Sequence, residues 1–158
     1  MKAIICNATI VNNGESHVGS LLVSEGRIER VVFNDIIDNV YDDCQVGDAT
    51  GMYLLPGVID DHVHFREPGM TAKADMHTES MAAAAGGVTS VLDMPNVVPQ
   101  TTTVANWRER MEMAKGRMHV NYAFFLGATN NNLDEILAMP SEQYPGVKLF
   151  MGSSTGNR

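Results

Sequence analysis

The sequence predicts an α/β protein in which a β-rich amino-terminal segment precedes a parallel sheet built from strand–helix units. Three observations favour this fold class. Short runs of Ile, Val and Leu separated by turn residues fill the first fifty positions, and apolar strands alternate with helical segments from residue 53 onward. The chain has 158 residues, whereas a complete (β/α)₈ barrel needs about 250. We therefore expect domains at 1–52 and 53–158, the second holding the first four units of an incomplete barrel.

The amino-terminal domain is predicted to be a small meander of strands. Its apolar runs lie at 2–11, 18–24 and 27–33, and the turn sequences Asn-Asn-Gly and Glu-Gly-Arg separate them. Three such strands bury little surface by themselves.

The second domain is predicted to alternate strands and helices. Its first strand is an apolar run at 53–59 that leads directly into a histidine pair. The elements that follow are a helix at 71–85 ended by Gly86 and Gly87, a strand at 88–94, a helix at 104–116 capped from 101–103, a strand at 120–126, a helix at 132–139 and a strand at 146–151. Such alternation indicates right-handed βαβ units. Because half a barrel leaves two open sheet edges, we expect the native protein to be longer, or this chain to be a fragment that associates.

Composition excludes several classes of protein. The net charge of −8 and the scattered positions of the eleven basic residues argue against nucleic-acid binding, which depends on clustered Lys and Arg. No stretch approaches the roughly 20 apolar residues of a membrane helix, so no membrane partner is expected. Cys6 and Cys44 are far apart and form no Cys-x-x-Cys motif, which predicts free thiols and a cytoplasmic location.

The strongest chemical signal is His62-Val63-His64 at the end of the first barrel strand. Alternate residues on a strand point the same way, so both imidazoles can face one metal ion; the alternative is a pair of structural or exposed histidines. Asp60 can orient a ligand histidine or cap the backbone. His77 is assigned to a surface position on a helix and His119 to the start of a strand, and neither is given a role.

Three further polar residues lie near predicted strand ends. Arg66 can grip a carboxylate with its guanidinium or form a surface salt bridge with Glu67. Asn96 can bind a polar substrate or form a turn beside Pro95. A charge is costly to bury, so Lys148 either serves a site or extends its ammonium to the strand end.

The sequence from 56 to 69, PGVIDDHVHFREPG, resembles the signature of the amidohydrolase superfamily, and HFREPG resembles its dihydroorotase and allantoinase branch. Further resemblance lies in GGVT at 86–89, DMPN at 93–96, the threonines at 101–103 and VKLFMGSSTGN at 147–157. Several motifs in order are more specific than any one of them. The resemblance implies a metal-dependent hydrolase barrel that acts on a small-molecule substrate.

The resemblance also implies roles for individual residues. His62 and His64 would bind zinc, and Lys148 carbamylated by CO₂ would bridge two Zn²⁺ ions, although some relatives use a carboxylate there. Arg66, Asn96 and His64 would bind the substrate. The implied reaction is the reversible hydrolysis of the ring amide of dihydroorotate to N-carbamoyl-L-aspartate in pyrimidine biosynthesis.

The same resemblance leaves part of the site outside these residues. Two further histidine ligands and a proton-transferring Asp would follow Arg158, so no catalytic residue is assigned here. We expect the 158-residue chain alone to bind metal weakly and to be inactive, and the full-length protein to be a homo-oligomer. Two alternatives stay open: an allantoinase or another cyclic amidohydrolase, and a non-catalytic scaffold.

Overall fold

A computed structural model describes residues 1–34 and 43–152. The chain divides into two compact units, Met1–Pro56 and a second that begins at Gly57. In the described parts, no helix combines the length and apolar character that crossing a membrane requires.

The first unit is a five-stranded sheet. Its strands are β1 (Lys2–Asn12), β2 (Glu15–Ser24), β3 (Arg27–Phe33), β4 (Cys44–Asp48) and β5 (Tyr53–Leu54). The order is β3-β2-β1-β4, with β5 also paired to β1. The β1–β2 and β2–β3 pairs are antiparallel, as a meander requires, whereas β4 and β5 run parallel to β1.

The three strands predicted at the amino terminus are present, and their turns have the expected chemistry. Asn13 and Gly14 both have positive φ (52° and 80°), and so do Glu25 and Gly26 (49° and 74°). Positive φ at both central residues belongs to the turn type that matches the twist of a hairpin. Both cysteines are free thiols in this structure and pack against a small core of Ile4 and Leu22.

The second unit contains parallel strands with helices between them. Its elements are β6 (Val58–Val63), α1 (Met76–Ala85), β7 (Val88–Asp93), α2 (Val104–Ala114), β8 (Asn121–Phe124), β9 (Leu126–Gly127), α3 (Leu133–Ala138) and β10 (Val147–Lys148). Strands β6, β7 and β8 form a parallel sheet in that order, and β9 pairs in parallel with β10. In the described residues these strands do not close into a barrel, which agrees with part of a larger α/β domain.

Several predicted boundaries were wrong. The first strand of the second unit begins at Val58 rather than at 53, because Pro56 has no N–H to donate and Tyr53–Leu54 pairs with β1 instead. Helix α1 begins at Met76 rather than at 71, since Asp75 accepts a hydrogen bond from the Thr78 N–H and caps it. The strand predicted at 146–151 is confined to Val147–Lys148.

Helix α2 supplies much of the core of this unit. Trp107, Arg110 and Ala114 are its buried residues, and spacings of three and four place them on one face. The Trp107 indole Nε1–H donates to the Phe124 carbonyl at 2.9 Å, which fixes α2 against the end of β8.

Candidate active site at the carboxyl ends of the strands

The histidine pair lies where β6 ends. The ring centroids of His62 and His64 are 5.3 Å apart, so the structure brings the two imidazoles together as the alternation predicted. Asp60 accepts a hydrogen bond from the backbone N–H of His62 at 3.1 Å, which is the backbone-capping alternative for this carboxylate. The Met94 N–H donates to the Val63 carbonyl at 3.0 Å and joins the end of β6 to the end of β7.

His64 is half-buried and contacts Asn96. The distance from its Nδ1 to Asn96 Oδ1 is 2.8 Å, and because the amide oxygen only accepts, Nδ1 carries the proton and Nε2 keeps its lone pair. Burial lowers the pKa of His64, the Asn96 hydrogen bond opposes that shift, and the charges of Arg66, His62 and Lys148 add to the lowering. The lowered pKa favours the neutral imidazole, which is the form that binds metal.

Arg66 does not continue the strand. A continued strand would place Arg66, two residues after His64, on the same face, but β6 ends at Val63 and Arg66 has φ of 62°. A residue other than Gly in this region is uncommon, and such conformations are enriched at functional sites. Arg66 still lies near enough to His64 to affect its pKa.

Glu67 holds the Arg66 loop in place. Its two oxygens accept from the Arg117 guanidinium at 2.7 and 3.1 Å, and Oε2 also accepts from the Met76 N–H at 2.9 Å. Glu67 thus pairs with Arg117 rather than with Arg66. Partial burial raises the pKa of Glu67, but the hydrogen bonds from Arg117 and Met76 outweigh it and the net pKa is lowered.

A buried ion pair lies behind the histidines. Asp93, the last residue of β7, is 0% exposed and Arg110 is 1% exposed. Arg110 donates to Asp93 Oδ2 at 2.5 Å, and Asp93 Oδ1 accepts from the Phe65 N–H at 3.2 Å. Burial raises the pKa of Asp93 to about 6, although Arg110 pulls it down.

Lys148 lies on β10, half-buried, with its Nζ 5.3 Å from the centre of the Phe150 ring. Its charge contributes to the lowered pKa of His64, after the charges of Arg66 and His62. The described residues contain no cluster of three or more His, Cys, Asp or Glu side chains that could hold a metal ion. The two nitrogen donors whose proximity is direct are the imidazoles of His62 and His64.

Sequence reasoning missed the contacts that support these side chains. Arg117 and Glu67 are 50 residues apart, and Arg110 and Asp93 are 17 apart; only the charge of Arg110 on the apolar face of a predicted helix could have pointed to a buried partner. The sequence assigned no role to His77 or His119. The two side chains contact each other, with ring nitrogens 3.2 Å apart.

Comparison with known proteins places the chain in a family. A family model described as Dihydro-orotase-like matches residues 51–134. A dihydroorotase of Methanosarcina mazei is 36% identical over 154 residues, which is 96% of this chain and 33% of the relative. An allantoinase of Saccharomyces cerevisiae is 37% identical over 146 residues, covering 91% of this chain and 31% of the relative.

A solved structure shows the same fold. The L-hydantoinase (dihydropyrimidinase) from Arthrobacter aurescens superposes with a TM-score of 0.89 at 28% identity, covering 98% of this chain and 34% of that one. The chain thus spans about a third of the length of the relatives it matches. Those relatives are cyclic amidohydrolases by name, and the chain belongs to their dihydroorotase-like family.

Proposed function

We propose that the full natural chain hydrolyses the amide bond of a small ring that carries a carboxylate, with dihydroorotate as the substrate and N-carbamoyl-L-aspartate as the product. The observation that carries the proposal is the pair of adjacent imidazoles, in which half-buried His64 lies beside His62 and contacts Asn96, with the charges of Arg66 and Lys148 near enough to lower the pKa of His64. This excess of positive charge suits an anionic ligand.

Arg66 and Asn96 would bind the substrate. A guanidinium can grip a carboxylate through two parallel hydrogen bonds, and an Asn amide both donates and accepts. Because the substrate carboxylate keeps its charge through ring opening, its grip by Arg66 would strengthen substrate binding and transition-state binding alike.

His62, His64 and Lys148 would hold divalent metal, with zinc as the proposed ion. The residues fit part of such a site, since neutral imidazole is a zinc ligand and His64 Nε2 keeps its lone pair. Lys148 would bind the metal as a carbamate. Carbamylation would replace its positively charged ammonium group, which adds to the excess of positive charge here, with an anionic group. Bound there, the metal would supply Lewis-acid activation of water and of the ring carbonyl.

A second candidate is allantoin hydrolysis. The similarity to the allantoinase of Saccharomyces cerevisiae, 37% identity, favours it as much as the similarity to a dihydroorotase favours the first. Dihydroorotate carries a carboxylate, whereas allantoin is uncharged. Loss of the Arg66 guanidinium should therefore impair hydrolysis of dihydroorotate more than hydrolysis of allantoin.

The test compares Arg66→Met with Arg108→Met in the full natural chain. Arg108 is an exposed residue of α2 and serves as the matched control. We expect Arg66→Met to lower kcat/KM for dihydroorotate by about 10- to 100-fold, since the lost hydrogen bonds involve charged groups, mainly through KM. Arg108→Met should keep the wild-type value.

Two results would contradict the proposal. Turnover of allantoin without turnover of dihydroorotate would select the second candidate. Absence of turnover with both rings in a metal-loaded sample would favour a non-catalytic scaffold.

A further inference from the structure

We infer that the buried Asp93–Arg110 pair is a positioning device that sets the two substrate-binding loops, those of Arg66 and Asn96, relative to each other. The inference rests on the proposed function, because it assigns the pair to the same site. Neither residue touches the substrate in this proposal; both act through hydrogen bonds to neighbouring residues.

The first step is the contact between Asp93 and the histidine loop. Asp93 Oδ1 accepts from the N–H of Phe65 at 3.2 Å, and Phe65 stands between His64 and Arg66. Arg66 follows with φ of 62°, a conformation that persists only when the surroundings impose it. The carboxylate therefore anchors the residue directly before the strained one.

The second step is the reach of Arg110 to the other loop. Its Nη1 donates to the Met94 carbonyl and to Thr101 Oγ1, both at 3.1 Å. These acceptors lie on either side of Asn96 in the sequence. The Thr101 N–H also donates to the Pro95 carbonyl at 3.0 Å. The two ends of the Asn96 loop are therefore hydrogen-bonded to each other as well as to the guanidinium.

The third step is the cost of the arrangement. Arg110 and Asp93 lie in the interior, and Arg110 Nε has no hydrogen-bond partner among the residues that the structure describes, although the guanidinium lies 4.2 Å from the centre of the Phe124 ring. Buried ion pairs are often no more stable than apolar side chains of similar volume. Stability alone therefore explains the presence of this pair poorly. The directional hydrogen bonds to the two loops explain it better, because Asp93 supplies the acceptor for one loop and Arg110 the donors for the other.

The experiment uses the full natural chain with three changes: the double variant Asp93→Leu/Arg110→Met, the single variant Arg110→Lys and the control Arg108→Met. The double variant removes both charges together, so no buried charge is left unpaired. Four quantities are measured on each sample: resistance to urea, metal content, amide exchange at Phe65, and kcat and KM.

We expect the double variant to keep its metal and to resist urea about as well as wild type, because removing two buried charges offsets the loss of their hydrogen bonds to Phe65, Met94 and Thr101. Its Phe65 amide should exchange faster, and kcat/KM for dihydroorotate should fall by about 10- to 100-fold, the usual effect of losing a residue that orients a binding group, with KM raised more than kcat is lowered. Arg110→Lys keeps the positive charge but loses the planar guanidinium with its several donors. Its kcat/KM should therefore lie between those of wild type and the double variant. The control should match wild type in all four.

Two results would overturn the inference. One is wild-type exchange at Phe65 together with wild-type KM in both variants. The other is loss of activity that only parallels loss of stability or metal. If the double variant does not fold, the Phe65 amide exchange, KM, stability and metal content of Arg110→Lys test the inference instead. Failure of the proposed function would show separately, as absence of ring hydrolysis by wild type, while the Phe65 exchange still tests the positioning.

Discussion

Gly69 lies in the loop between β6 and α1, where the backbone leaves no room for a side chain. Its φ is +79°, and a Cβ added there would lie 2.1 Å from the Val98 carbonyl oxygen. The close approach joins the Arg66 loop to the loop that follows Asn96. Gly14 has nearly the same φ, +80°, but a Cβ there would meet nothing within 4 Å.

These two glycines give a matched pair of substitutions. Gly14→Ala carries only the backbone penalty, about 1–2 kcal/mol, whereas Gly69→Ala adds a clash with backbone that cannot move away cheaply. We expect Gly69→Ala to lower the free energy of unfolding by at least about 1 kcal/mol more than Gly14→Ala, since overpacking typically costs 1–3 kcal/mol. Urea denaturation of both variants measures the difference, and equal costs would show that the loops separate freely.

Glu67 should make stability depend on pH. Its pKa is lowered in the folded protein from an ordinary value of 4.5, so its contribution is present above that value and is lost as the pH falls through the lowered folded pKa. The stability of wild type relative to Glu67→Gln should therefore decrease between pH 6 and pH 3. Denaturation curves across that range check it, and a constant difference would mean that Arg117 contributes nothing to the ionised form.

At the scale of single residues, the sequence predicted that His62 and His64 meet, but it did not predict the backbone conformation of Arg66 or the ion pairs that support the site. The pairing of His62 with His64 follows from strand alternation, which operates over two residues. The left-handed conformation of Arg66 and the pairing of Glu67 with Arg117 depend on tertiary contacts across as many as 50 positions. No local pattern encodes such contacts.

At the scale of elements, helix starts are set by single side chains. Thr103 has extended backbone and its Oγ1 accepts from the Asn106 N–H at 3.1 Å, which confirms the predicted cap of α2. The start of α1 was placed too early because residues 71–74 have helical composition, yet the cap is Asp75. Composition indicates a helix, whereas the capping hydrogen bond decides where it begins.

The cap of α2 can be tested by substitution. Thr103→Ala leaves the Asn106 N–H without its acceptor and should cost about 1 kcal/mol of stability. Thr103→Ser keeps the hydroxyl and is the control, with an expected cost well below that of Ala. Thermal unfolding of the two variants measures both, and equal losses would show that the methyl group rather than the hydroxyl matters.

At the scale of the whole molecule, the order of elements was predictable and the strand partners were only partly so. Alternating strands and helices predicted the parallel sheet β6-β7-β8, because few other arrangements satisfy such a pattern. The parallel pairing of β4 and β5 with β1 was not predicted, since nothing in a short run of residues specifies a partner 40 positions away.

The end strand of that sheet carries exposed apolar residues. Val58 and Ile59 on β6 are 54% and 67% exposed, and unpaired strand edges favour association. We expect a polypeptide of these 158 residues to self-associate at micromolar concentration, and Ile59→Lys to reduce that association. Light scattering measures the size of the particles that each polypeptide forms. A monodisperse monomer for the unsubstituted polypeptide would contradict the expectation.

The most direct measurement is metal content and dihydroorotate hydrolysis on one sample of the full natural chain, before and after a chelator. We predict about two metal ions per chain, as in two-metal hydrolytic sites, with activity that is lost on chelation and recovered when zinc is restored. The variant His64→Ala should lose both metal and activity. Ring hydrolysis that persists in a metal-free sample would contradict the assignment of His62, His64 and Lys148 to a metal centre.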